Sequence, residues 1–159
     1  MLLNFKMLRN IFISSLIAIS LISCGQPDQD WSSYGMDLSN QRFSRVTQIN
    51  KTNVETLEIA WQVQTGVKAT FQATPIVHKG IMYVSLPFNN VIALDAKTGN
   101  EIWRYEHDLN PDWKLCCGPS NRGVALQGKQ LFFGTVDARL ISLNIKTGEK
   151  IWDINVVKN

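Results

Sequence analysis

Charge of one sign is scarce. The 159 residues carry 16 Lys and Arg against 13 Asp and Glu, a formal net charge of +3, and the basic residues gather into no run. A surface that follows a phosphate backbone needs such a cluster, so nucleic acid is not an expected partner. Cysteine is sparse as well: three residues leave at least one thiol outside any single disulfide. Adjacent Cys116 and Cys117, with His107 as a third ligand, make a poor metal site because they lack the Cys-x2-4-Cys spacing of zinc centres. The composition, 45% hydrophobic and 18% charged, excludes disordered, collagen-like and coiled-coil chains and suits about one globular domain. A membrane-spanning run is missing too. The apolar stretch 11–22 is broken by Ser14, Ser15 and Ser20 and falls short of the roughly 20 residues a spanning helix requires.

What residues 1–23 do have is the shape of a signal peptide: Lys6 and Arg9 ahead of a short apolar region. It ends in Leu21-Ile22-Ser23-Cys24-Gly25, which looks like a bacterial lipobox, and the polar stretch Gln26 to Asp30 begins directly after it. The alternative is an ordinary signal peptide followed by an unrelated cysteine. With lipid on Cys24 the protein would be a lipoprotein held at a bacterial membrane, since acyl chains contribute about 0.8 kcal/mol per buried methylene. Removing residues 1–23 takes away two positive charges and leaves a near-neutral chain whose two cysteines, Cys116 and Cys117, are adjacent. An export route leads to a compartment where disulfides persist.

Downstream, one pattern occurs twice. Val91-Ile92-Ala93-Leu94-Asp95-Ala96-Lys97-Thr98-Gly99 runs on to Trp103, and Leu140-Ile141-Ser142-Leu143-Asn144-Ile145-Lys146-Thr147-Gly148 runs on to Trp152, with 49 residues between equivalent positions. Each copy follows another hairpin pattern, 76–84 and 124–133. In the Lys-Thr-Gly turns, Gly99 and Gly148 suit a positive φ, and Asp95 and Asn144 can accept from nearby amides. Runs such as 81–84 and 131–133 are apolar on both faces, so each sheet expects cover on both sides. Four strands in a repeat of roughly 40–50 residues mark a β-propeller. The fold class is therefore all-β, a partial propeller of about two four-stranded blades, with Trp103 and Trp152 packing between adjacent sheets. A lead-in strand is expected at Glu58 to Val63, a short helix or turn at Asn50 to Leu57 capped by Asn50 or Thr52, and irregular chain from Trp31 to Val46. Residues 1–23, 24–57 and 58–159 thus divide into signal peptide, lead-in and propeller repeats. Propellers close with about four to eight blades, so two blades leave an apolar face uncovered, as expected of the beginning of a longer protein.

Between the copies lies Leu115-Cys116-Cys117-Gly118-Pro119-Ser120-Asn121-Arg122-Gly123. Neighbouring Cα atoms sit about 3.8 Å apart, below the usual span of a bridged pair, so a Cys116–Cys117 disulfide would close a small strained ring, while two unpaired thiols fit the spacing equally well. His78 and His107 are expected to be loop residues without a special role, and Asp112-Trp113 reads as loop.

Several of these pieces together resemble the amino-terminal part of pyrroloquinoline quinone (PQQ)-dependent alcohol dehydrogenases, periplasmic quinoproteins built on an eight-bladed propeller. They are 40–44, 73–77, 90–95, Cys116-Cys117-Gly118-Pro119, Asn121-Arg122-Gly123 and 134–140. The resemblance implies a Cys116–Cys117 disulfide ring lying against one face of PQQ, with Arg122 reaching the quinone oxygens. Gln72 stands where these enzymes usually carry a glutamate that contacts the cofactor; a neutral amide can still donate to a cofactor carboxylate. It also implies an alcohol substrate, calcium or a lanthanide, and a periplasmic electron acceptor such as a cytochrome c. The metal ligands and catalytic base come from later blades, so no catalytic residue is expected within this chain, which would be inactive alone. Two other readings fit parts of the sequence. A non-catalytic propeller lipoprotein of outer-membrane protein assembly accounts for Cys24 and the Trp repeats but not for the cysteine pair. A sugar or polyol quinoprotein would accommodate Gln72.

Overall fold

A computed structural model describes residues 30–110, 112 and 115–157. The expected signal peptide, Cys24 and Trp113 lie outside the described residues. Among the described residues, eight strands form two antiparallel sheets, each a four-stranded meander. The first holds β1 (Ile76–His78), β2 (Ile81–Ser85), β3 (Val91–Asp95) and β4 (Glu101–Tyr105). The second holds β5 (Ala125–Gln127), β6 (Gln130–Gly134), β7 (Arg139–Asn144) and β8 (Lys150–Asn155). The 49-residue repeat extends to backbone detail. Both third-to-fourth strand pairings carry an irregularity, between Ala93 and Leu94 in one sheet and between Ser142 and Leu143 in the other, just beside the pairs Ala93–Trp103 and Ser142–Trp152.

Successive side chains of a strand point to opposite faces, and β3 uses both. Val91 and Ala93 join Tyr83 and Trp103 in a core shared with Leu131, Phe133, Ile141 and Leu143 of the second sheet. Ile92 and Leu94 face the other way, against Leu86 and the half-buried Trp61, Val63 and Val67 of the lead-in.

The turns explain how the blades lock. Gly99 and Gly148 have φ of 74° and 73°, as the sequence expects, and Asp95 and Asn144 accept from amides of the turn. A second requirement was not legible in the sequence: a Cβ on Gly148 would lie 2.6 Å from the Trp103 ring, and one on Gly99 2.7 Å from Trp61. Trp103 Nε1 donates to the Ile145 carbonyl at 3.1 Å, and Trp61 Nε1 to the equivalent Ala96 carbonyl at 3.2 Å. Each indole thus seats on the bare glycine of the following turn.

Several expectations need correction. Glu58 to Val63 forms no strand: Trp61, Val63, Thr65 and Val67 are half-buried in alternation with exposed Gln62 and Gln64, giving the period of a strand without a partner to pair with. The short helical turn is Val54–Thr56, with Asn53 at its N-cap position; Asn50 instead accepts from the Thr52 amide and hydroxyl. His78 ends β1, where its Nδ1 lies 2.7 Å from Asp30, whose other oxygen accepts from the Lys79 amide. His107 is not an idle loop residue either, being 6% exposed and paired with Asp137.

Candidate functional site

The crossover from β4 to β5 carries the cysteine pair and Arg122, and the stretch before β1 carries Gln72. More than forty residues of sequence separate them, yet Gln72, Cys116, Cys117, Gly118, Arg122 and Val136 line one cavity of about 320 Å³ together with Leu115 and Ser120. Two short bonds draw the strands of this wall together. Ser120 Oγ donates to the Thr70 carbonyl at 2.9 Å, holding the crossover beside the Gln72 segment. Asn121, only 8% exposed, donates from Nδ2 to the Gly134 carbonyl at 2.8 Å and accepts from the Gly123 amide at 3.1 Å. Asn121 therefore anchors the chain immediately before Arg122, which stays exposed.

Arg122 also borders two adjoining cavities, one of about 370 Å³ with Asn121, Thr135 and Val136, and one of about 360 Å³ with Gln72, Thr74 and Tyr34. Arg122 thus borders three openings. A larger cavity of about 610 Å³, bordered by Asp30, Ser33, Asp37 and Arg45, shares no residue with them.

The two sulfurs lie 2.9 Å apart on the exposed surface, as thiols in hydrogen-bond contact. Cys117 pushes the Cys116 thiol above its ordinary range, first by the hydrogen bond and then by charge repulsion. Among the described residues no cluster of three or more His, Cys, Asp or Glu side chains could hold a metal ion.

Next to the lining residue Val136 in sequence, Asp137 accepts from His107 Nε2 at both oxygens, at 3.1 and 3.0 Å. Burial works to raise the Asp137 pKa, but hydrogen bonds from Thr135 and His107 outweigh it and hold the carboxyl below its ordinary value. In Asp153 burial is likewise outweighed, by the cations Arg139 and Lys150.

The sequence pointed to Gln72, Cys116, Cys117 and Arg122, and the fold brings all four to one cavity. Ser120, Val136 and the anchoring role of Asn121 were not foreseen. Only the Asn-Arg-Gly triplet hinted at Asn121, and Val136 fell within the 134–140 piece of the resemblance without being singled out as a site residue.

Two meander sheets stacked through Trp and Gly, with a cavity at the crossover that carries a guanidinium-bearing and an amide-bearing residue, define a segment of a β-propeller. The family model described as "PQQ: Glucose/ethanol/alcohol dehydrogenase, beta-propeller domain" matches residues 31–154, and the chain belongs to that family. It is 41% identical over 129 residues to quinohemoprotein alcohol dehydrogenase ADH IIB of Pseudomonas putida, covering 80% of this chain and 19% of the relative. The crystal structure of quinohemoprotein alcohol dehydrogenase from Comamonas testosteroni superposes with a TM-score of 0.78 at 40% identity, over 82% of this chain and 20% of that one. A europium-containing methanol dehydrogenase gives 0.75 at 31% identity, over 81% and 23%. The chain spans about a fifth of the length of the curated relatives it matches.

The residues present fit one wall of a PQQ site. The cofactor is a planar tricarboxylate with adjacent carbonyls. The cavity offers a forked guanidinium, an amide and a pair of adjacent sulfurs beside Gly118, where an added Cβ would meet nothing within 4 Å.

Proposed function

We propose that this chain supplies one wall of the quinone site of a PQQ-dependent alcohol dehydrogenase. One observation carries the reading: Gln72, Cys116, Cys117 and Arg122, far apart in sequence, share a single cavity. Arg122 would hold the quinone oxygens, Gln72 a cofactor carboxylate, and the Cys116–Cys117 pair, oxidised to a disulfide, would lie against the ring face. Held there, PQQ would supply two-electron chemistry, taking up the two electrons and two protons that an alcohol gives up on oxidation to the carbonyl. The complete enzyme would also need calcium or a lanthanide and a periplasmic electron acceptor such as a cytochrome c. The metal ligands and base belong to parts of the family fold beyond these residues, so the 159-residue chain binds without turning over. Lipid on Cys24 would tether it to a bacterial membrane on the periplasmic side.

The test is titration of the purified chain with PQQ, before and after thiol reduction. Arg122→Ala should weaken binding roughly thirtyfold, the range of a lost hydrogen bond to a charged group, and Arg122→Lys should not restore it, since a lysine lacks the planar fork. No measurable affinity in either thiol state removes the reading.

A further inference from the structure

The loop between β2 and β3 holds two consecutive non-glycine residues in the left-handed region, Phe88 at φ 63° and Asn89 at φ 61°. Bulky residues seldom adopt that conformation, and it persists where surrounding contacts over-determine it. Here three successive residues each grip a different segment outside the loop. The Phe88 amide donates to the Pro119 carbonyl at 2.9 Å. Asn89 Oδ1 accepts from the Val136 amide at 3.0 Å, and Asn90 Oδ1 from the His107 amide at 3.0 Å. The ring closes because His107 holds Asp137, the neighbour of Val136.

Asn89 is fully buried, and its Nδ2 finds no partner among the described residues. A buried donor left unpaired is unfavourable, so the residue's contribution is its oxygen. Only the oxygen can face the Val136 amide, because an amide donor cannot bond another donor. Val136 lines the cavity, and Pro119 sits between Gly118 and Ser120, which line it too. The first blade thus reaches across to fix two sides of a wall that belongs to the crossover and the second blade.

We propose that Asn89 is a positioning residue for the quinone wall: its carboxamide oxygen and the left-handed backbone it shares with Phe88 set the spacing between the Cys116-Cys117-Gly118-Pro119 segment and Val136. This rests on the cavity being the quinone site. Asn89→Gly keeps the backbone conformation accessible and removes only the carboxamide. Three quantities are read on the full 159-residue chain: affinity for PQQ, the alkylation rates of Cys116 and Cys117 resolved by peptide mass spectrometry, and amide exchange in β3 and β7. The expected result is about tenfold weaker PQQ binding, the scale of one lost oriented contact, and altered alkylation of the pair, with exchange in β3 and β7 unchanged. Unchanged PQQ affinity in Asn89→Gly overturns the positioning role and leaves the quinone reading intact. Affinity that falls in step with faster exchange throughout β3 and β7 also overturns it, because the residue then merely stabilises the sheets. No PQQ affinity in the unaltered chain is a separate failure, that of the quinone reading, and the alkylation rates then decide whether Asn89 holds the cysteine segment. Should Asn89→Gly not fold, Asn90→Ala opens the same ring at its His107 arm; about threefold weaker binding supports the proposal and no change overturns it.

Discussion

Trp103 and Trp152 occupy the same position of the same repeat, opposite Ala93 and Ser142, and meet different fates. Trp103 is 7% exposed, seated on Gly148 and bonded to the Ile145 carbonyl across the sheet boundary. Tyr83 donates to that same carbonyl at 3.3 Å, and burial pushes its hydroxyl pKa up. Among the described residues Trp152 packs on its own sheet, with Phe132 5.8 Å away ring to ring, and is half-buried. Beside it Ile154 is 49% exposed. An indole becomes a structural lock only when the following blade presents a turn with a bare glycine and an unused carbonyl. The repeat therefore encodes half of each interface, and its stability belongs to pairs of blades rather than to single ones.

Breaking the closed contact should have the largest effect. Trp103→Ala is expected to lower stability by about 3–5 kcal/mol, as large-to-small changes in cores do, and Trp152→Ala by at most about half of that. Urea unfolding of the two variants reads the difference; equal losses would mean that the sheets do not depend on each other. Gly148→Ala comes next. It forces a methyl against the Trp103 ring at φ 73°, for about 2–4 kcal/mol, whereas Gly128→Ala, at φ 60° with open space around it, should cost only about 1–2 kcal/mol of backbone strain. Thermal midpoints order the pair.

The smallest effect is on pH dependence. Folding depresses the Asp137 and Asp153 pKa values, so each contributes stability that is complete above about pH 4, the ordinary carboxylate range, and is lost as pH falls through the lower folded value. Asp137→Asn and Asp153→Asn should each lower the urea midpoint at neutral pH, with the gap to the unaltered chain closing below about pH 4. The change should be greater for Asp137, which joins the two blades through His107, than for Asp153, whose partners Arg139 and Lys150 lie in its own sheet. A gap that persisted into acid would point to lost packing instead of lost charge.

How far the sequence could be read follows from the range of each signal. The hairpins and the Lys-Thr-Gly turns are local, and the eight strands fall within the hairpin and Trp-turn repeat patterns read from the sequence. Residues 58–63 show the limit: alternation puts Ile59, Trp61 and Val63 on one side, but only Trp61 and Val63 are half-buried while Ile59 is exposed, and a strand also needs a neighbour, which alternation does not report. For the site, the Cys116-Cys117 and Asn121-Arg122-Gly123 motifs are contiguous and so were visible. His107 was missed because its partner lies 30 residues away, and Asn89 because its oxygen serves Val136, 47 residues on.

By itself the amino-acid order determined the blade: where strands begin and turn, which positions are bare glycine, and which side chains are apolar, all of it chemistry acting over a few residues. Only the tertiary structure decided which indole is locked, which histidine is buried and which distant residues share the cavity with Arg122. Those outcomes depend on contacts between segments tens of residues apart, and no local preference specifies the geometry in which they meet.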